Sequence, residues 1–167
     1  MLIAREDERM ALEREYERDQ ASFVVVYGRR RIGKTSLLVD FLKDKCGVYF
    51  LATEESEAQN RATFKGVVAD FLDDDLIRHA SFDRWDDLFD RLTQDVSQRI
   101  VIVLDEFQYL GKANNAFLSV LQRIWDSLLR ERNVMLVLCG SLISLMVEQT
   151  LAHGSPLYGR RTAQLHM

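Results

Sequence analysis

Phe23-Val24-Val25-Val26-Tyr27-Gly28-Arg29-Arg30-Arg31-Ile32-Gly33-Lys34-Thr35-Ser36 is the stretch that decides the fold. Its first five residues are apolar and rich in β-branched valine, which predicts a buried strand over 23–27. Gly28 to Thr35 then spell G-x-x-x-x-G-K-[ST], the pattern of a loop that cradles phosphate groups. Ser36-Leu37-Leu38-Val39-Asp40-Phe41-Leu42 continues with apolar residues at helical spacing, so the loop and a first helix occupy 28–44. Strand, glycine loop and helix in that order are the context the pattern needs.

Each letter of the loop has a chemical reason. Gly28 and Gly33 allow backbone conformations that a Cβ resists. The N–H groups from Gly28 through Arg29, Arg30, Arg31, Ile32, Gly33, Lys34, Thr35 and Ser36 can then converge on phosphate oxygens. The loop ends at a helix N-terminus, whose unpaired N–H groups favour an anion. Lys34 supplies a mobile point charge, and the Thr35 hydroxyl is suited to ligate Mg²⁺.

A second run narrows the chemistry. Ile100-Val101-Ile102-Val103-Leu104 is continuously apolar, as expected for a strand buried on both faces of a parallel sheet. Asp105 and Glu106 follow at its carboxyl end, the edge at which open α/β sheets bind ligands. With the phosphate loop upstream, Asp105 is the candidate to hold Mg²⁺ through water opposite Thr35. Glu106 is the candidate to accept a proton from, or orient, a water attacking a γ-phosphate. Ser141, just past a further strand at 134–139, can hydrogen-bond that phosphate or water; it can equally cap the helix that follows. Arg29, Arg30, Arg31, Arg160 and Arg161 are candidates to stabilise transferring phosphate charge in cis or in trans, with pairing to acidic side chains as the alternative. Of these, Arg160 is carried forward as the candidate catalytic arginine.

The remaining pattern alternates strands and helices. A charged surface helix is expected over 5–19, supported by Glu/Arg pairs at helical spacing. A second strand is expected at 47–52 and a helix over 57–72. Asp73-Asp74-Asp75 then reads as a solvated turn, and Ser81 as the cap of a helix over 85–92. Helices are expected over 114–131 and 142–151, and a fifth strand begins at Thr162. This alternation predicts an α/β fold whose sheet is mostly parallel, with helices on both faces.

Composition sets the bounds. The 167 residues are 47% hydrophobic and 29% charged, which suits one globular domain spanning 1–167. A net charge of −4 gives this core no electrostatic case for nucleic-acid binding. No apolar run reaches membrane-spanning length, and Met-Leu-Ile-Ala followed by dense charge does not read as a signal peptide. Cys46 and Cys139 are far apart and read as two buried thiols of a cytoplasmic protein. The three histidines have no metal-ligand spacing.

Together these residues resemble the archaeal-type P-loop ATPases of the MNS clade, related to the STAND ATPases within the additional-strand NTPases. The resemblance is carried by Val26 to Thr35, by Asp105-Glu106-Phe107-Gln108, by Gly140-Ser141 and by Ser155-Pro156-Leu157-Tyr158-Gly159-Arg160-Arg161-Thr162. The Arg5-Glu6 start is similar to the family's opening segment, which lies near the nucleotide base. The resemblance implies a three-layer sandwich with about five strands in the order 5-1-4-3-2, ATP as ligand, and slow, regulated hydrolysis. It also implies that this core is followed in relatives by a helical lid, a winged-helix region and further domains.

The leading expectation is an Mg²⁺-dependent ATPase whose cycle drives a conformational or assembly switch, with self-association or a protein partner. The alternative is a nucleotide-binding switch with negligible hydrolysis of its own, reaching nucleic acid only through other domains. A small-molecule kinase is disfavoured by Glu106, which suits water as nucleophile, and a GTPase by the lack of an Asn-Lys-x-Asp run.

Overall fold

The structure, a computed structural model, describes residues 5–95 and 97–167. The Met-Leu-Ile-Ala reading lies outside those residues. Strands β1 (Ser22–Tyr27), β2 (Gly47–Leu51), β3 (Ile100–Asp105), β4 (Val134–Gly140) and β5 (Ala163–His166) form one sheet in the order β2-β3-β4-β1-β5. Every pairing in it is parallel. This is the expected order 5-1-4-3-2 read from the other edge.

β1, β3 and β4 are buried at every position, which is why their sequences are continuously apolar rather than alternating. Side chains still alternate between faces. Phe23, Val25, Ile100, Ile102, Leu136 and Leu138 enter one core; Val24, Val26, Val101, Val103, Met135 and Val137 enter the other. The first core is closed by α3 (Glu57–Leu72), α5 (Trp85–Thr93) and α7 (Ala116–Ser127), the second by α1 (Glu6–Tyr16) and α2 (Lys34–Leu42). The result is three layers, helix on sheet on helix.

Several helix boundaries differ from the sequence expectation. The acidic run is not a plain turn: Asp73 ends α3 in a left-handed conformation, and Asp74 caps a short α4 (Asp75–His79), its Oδ1 accepting from Leu76 N at 2.9 Å. Ser81 does not cap α5, whose cap position is Arg84 with no side-chain bond. The expected helix over 114–131 is two pieces, preceded by a short helix the sequence does not predict. A short α6 (Gln108–Ala113) precedes an extended Asn114, α7 follows, and a 3-10 turn covers Leu129–Glu131. The expected helix over 142–151 is one α-turn, α8 (Ile143–Met146), and a π-helical turn over Val147–Leu151.

Candidate functional site

β1, β4 and β3 are adjacent and parallel, so their carboxyl ends open on one edge of the sheet. The phosphate loop leaves β1, Ser141 follows β4, and Asp105 ends β3. Residues separated by more than a hundred positions therefore meet at one place.

The loop turns into α2 through Gly33, whose φ of 93° lies where a Cβ is strained; Arg31 takes the left-handed region at 64°. Lys34 is buried. Its Nζ donates to the Gly28 and Arg29 carbonyls at 2.8 and 2.5 Å, so the ammonium lies folded against the start of its own loop. Ile32 offers its carbonyl to the Arg5 guanidinium, which links the first residues of the chain to the loop. A cleft of about 270 Å³ is lined by Arg30, Arg31, Gly33, Lys34, Thr35, Ser36 and Glu106.

Thr35 Oγ1 donates to Asp105 Oδ2 at 2.7 Å, and Tyr49 Oη donates to the same oxygen at 2.5 Å. Burial, then the Asp105 carboxylate, push the Tyr49 hydroxyl well above the ordinary phenol range, so it stays a donor. The other oxygen of Asp105 accepts from Glu106 N at 2.8 Å. The Cys139 thiol is raised chiefly by burial and next by the same carboxylate, which holds it in the inert thiol form.

Glu106 turns out of β3 with φ at 52°. Its Oε2 accepts from Ser141 Oγ at 2.8 Å and from Gln108 Nε2. Arg30 donates to Ser141 Oγ at 3.4 Å and to Tyr109 Oη at 2.7 Å. The phosphate loop is thus tied to the residues after β3 and β4. Ser141 caps no helix, since α8 begins without a side-chain cap; its hydroxyl is committed to Glu106.

Arg160 lies elsewhere. Ala163 pairs with Val24, and Thr162 N donates to Phe23 O, so Arg160 sits at the amino-terminal edge of the sheet. Its guanidinium is paired with Asp126 at 2.9 Å beside a larger cavity of about 610 Å³. Of the cis and trans roles open to it, that polarity disfavours the cis one: parallel strands put the start of β1 and the phosphate loop at opposite edges.

The sequence assigns no role to Tyr49, Gln108 or Tyr109. A hydroxyl on a strand beside β3 is the signal for Tyr49. Gln108 enters the sequence reading only as the last letter of the Asp-Glu-Phe-Gln run, and Tyr109 not at all.

The phosphate loop, the acid at the end of the third strand and the parallel order 5-1-4-3-2 define a P-loop NTPase fold. The chain belongs to the family described as an ATPase domain predominantly from Archaea, whose model matches residues 2–167. It is 36% identical over 165 residues to an uncharacterised protein of Methanocaldococcus jannaschii, covering 99% of this chain and 35% of that protein. It is also 42% identical over 45 residues to an uncharacterised ATP-binding protein of the same organism, covering 27% of this chain and 76% of the relative. Among solved structures, the Walker-type ATPase of Pyrococcus abyssi superposes with a TM-score of 0.71 at 22% identity, over 97% of this chain and 52% of that one. The chain therefore spans about a third of the length of its long relative and half that of the solved ATPase. Family and fold support ATP binding. No helix among the described residues is long and apolar enough to cross a membrane.

Proposed function

We propose that this chain is an Mg²⁺-dependent ATP-hydrolysing core whose cycle drives a conformational or assembly switch. One observation carries the reading: Glu106 lines the same cleft as Lys34, Thr35 and Ser36, beside the Thr35–Asp105 pair.

ATP phosphates would draw Lys34 Nζ from the Gly28 and Arg29 carbonyls, and the N–H groups of residues 28–36 would receive the phosphate oxygens. Thr35 and Asp105 already touch, and both are hard oxygen donors of the kind Mg²⁺ takes. When bound, that ion supplies positive charge to the phosphate oxygens. Glu106 orients a water and takes its proton as the water oxygen bonds to the γ-phosphorus. The bond to the bridging oxygen breaks, leaving ADP and phosphate. Ser141 senses the γ-phosphate through the Glu106 carboxylate that it holds, and Arg30, joined to Ser141 and Tyr109, carries the change to α6. Arg160 can serve a nucleotide only on a neighbouring copy, which an assembly would supply.

Lys34→Ala and Glu106→Gln test the roles. Lys34→Ala is expected to abolish ATP binding. Glu106→Gln is expected to keep ATP affinity and lose about 10²–10⁴-fold in single-turnover hydrolysis. Equal loss of affinity in both variants would sink the assignment. Binding without turnover in the parent would favour the switch that does not hydrolyse.

A further inference from the structure

Gln108 has a side chain that stability alone does not explain. It is completely buried, at 0% exposure, on the first turn of α6. Its Nε2 donates to Glu106 Oε2, while its Oε1 has no hydrogen-bond partner among the described residues. A buried amide oxygen left unpaired carries a desolvation cost that an apolar side chain of the same shape would not. Turning the amide over would set Oε1 against the Glu106 carboxylate, so the donor is committed to that oxygen.

The surroundings fix the amide in place. A Cβ on Gly140 would lie 2.4 Å from Gln108 Oε1, so the end of β4 has room for this side chain only because it carries none. Phe107 N donates to Cys139 O at 2.9 Å, which ties the segment to β4. The Gln108 carbonyl accepts from Gln149 Nε2 at 3.2 Å, which ties it to the π-helical turn.

We propose that Gln108 is a positioning residue for hydrolysis: with Ser141 it holds Oε2 of Glu106 and leaves Oε1 to take the water. This rests on the reading of Glu106 as the base. A glutamate side chain on a free tether samples several rotamers, and two donors on one oxygen select a single carboxylate orientation. Loss of one donor lets the carboxylate rotate and shift, and a misplacement near 1 Å lowers a rate by about 10²-fold.

Gln108→Met keeps length and burial and removes the donor; Gln108→Leu is made alongside it, so that a packing failure in one leaves the other. Each folded variant is compared with the parent for ATP affinity, single-turnover rate and melting temperature. The expected result is ATP affinity within about twofold, a rate about 10–100-fold lower, and a melting temperature equal to or above the parent's. A structural role would lower the melting temperature instead, and that would overturn the proposal.

The same substitution in a Glu106→Gln background separates the two readings. The expected further loss there is under about twofold, because the group being positioned is gone. A full loss in that background overturns the positioning role. A slow Glu106→Gln with a parent-like Gln108→Met overturns Gln108 alone. A parent-like Glu106→Gln overturns the base assignment itself.

Discussion

Asp105 Oδ2 accepts two hydroxyl protons, from Thr35 and Tyr49, at the place where the proposed metal site lies. Thr35 belongs to the phosphate loop, and its pairing assembles that site. Tyr49 comes from β2 and competes for the carboxylate's charge. Its half-buried hydroxyl is held neutral by burial and by the Asp105 carboxylate, so it donates throughout the neutral pH range. Tyr49→Phe removes one donor and leaves the ring. The Mg²⁺ concentration for half-maximal single-turnover hydrolysis is then expected to fall several-fold, because metal-bound waters meet a less damped carboxylate. A Mg²⁺ titration of parent and variant checks it, and an unchanged or higher requirement would show that Tyr49 does not compete at this oxygen. Thr35 and Asp105 were legible as letters of two spaced patterns. Tyr49 was not, because its partner lies 56 positions away on the neighbouring strand.

At the scale of elements, the strands and the helices α3 and α5 are legible in the sequence, whereas the helix boundaries after β3 and β4 are not. Strands β1, β3 and β4 are buried on both faces, so burial writes a continuous apolar run with sharp ends. Helices end where a tertiary contact outbids propensity, and such contacts leave little local trace. Asn114 shows how. No proline or glycine marks it, yet it is extended between α6 and α7 with φ at −151°. Its Oδ1 accepts from Ala116 N at 3.0 Å, and its Nδ2 donates to Glu57 at the start of α3. Local capping and a distant carboxylate together keep Asn114 extended, so α7 begins at Ala116 rather than at the expected 114. Asn114→Ala removes both bonds and is expected to lower unfolding free energy by about 1 kcal/mol. Urea unfolding measures it, with ATP affinity expected to stay within about twofold because α7 packs away from the cleft. A loss of affinity would mean that the α6–α7 break positions the residues after β3.

The polarity of the parallel sheet divides the whole molecule into two edges with different work. The carboxyl edge gathers the phosphate loop, Asp105, Glu106 and Ser141. The amino edge is held by Arg99, which is 6% exposed and has no carboxylate partner among the described residues. Its guanidinium donates to Asn133 Oδ1 at 2.9 Å, to the Glu15 and Gln20 carbonyls at 3.2 and 2.9 Å, and to Ser22 Oγ at 2.7 Å. One side chain thereby joins the end of α1, the entry to β1 and the entry to β4. Burial pulls its pKa below the usual arginine value, and Nε is left without a partner, so the charge is retained at a cost that its four bonds offset. Arg99→Met removes four charge-assisted hydrogen bonds, one of them to the buried Ser22, for an expected loss of about 3 kcal/mol. For a chain of this size that lowers the melting temperature by about 6–12 °C. ATP at a hundred times its Kd is expected to stabilise parent and variant alike, by about 2.7 kcal/mol each, because the proposed nucleotide site lies at the other edge. Thermal melts of both proteins with and without ATP and Mg²⁺ measure the two effects separately. If Arg99→Met lost the ATP-dependent increment as well, the two edges would be coupled through the sheet, and the amino edge would belong to the nucleotide cycle rather than to stability alone.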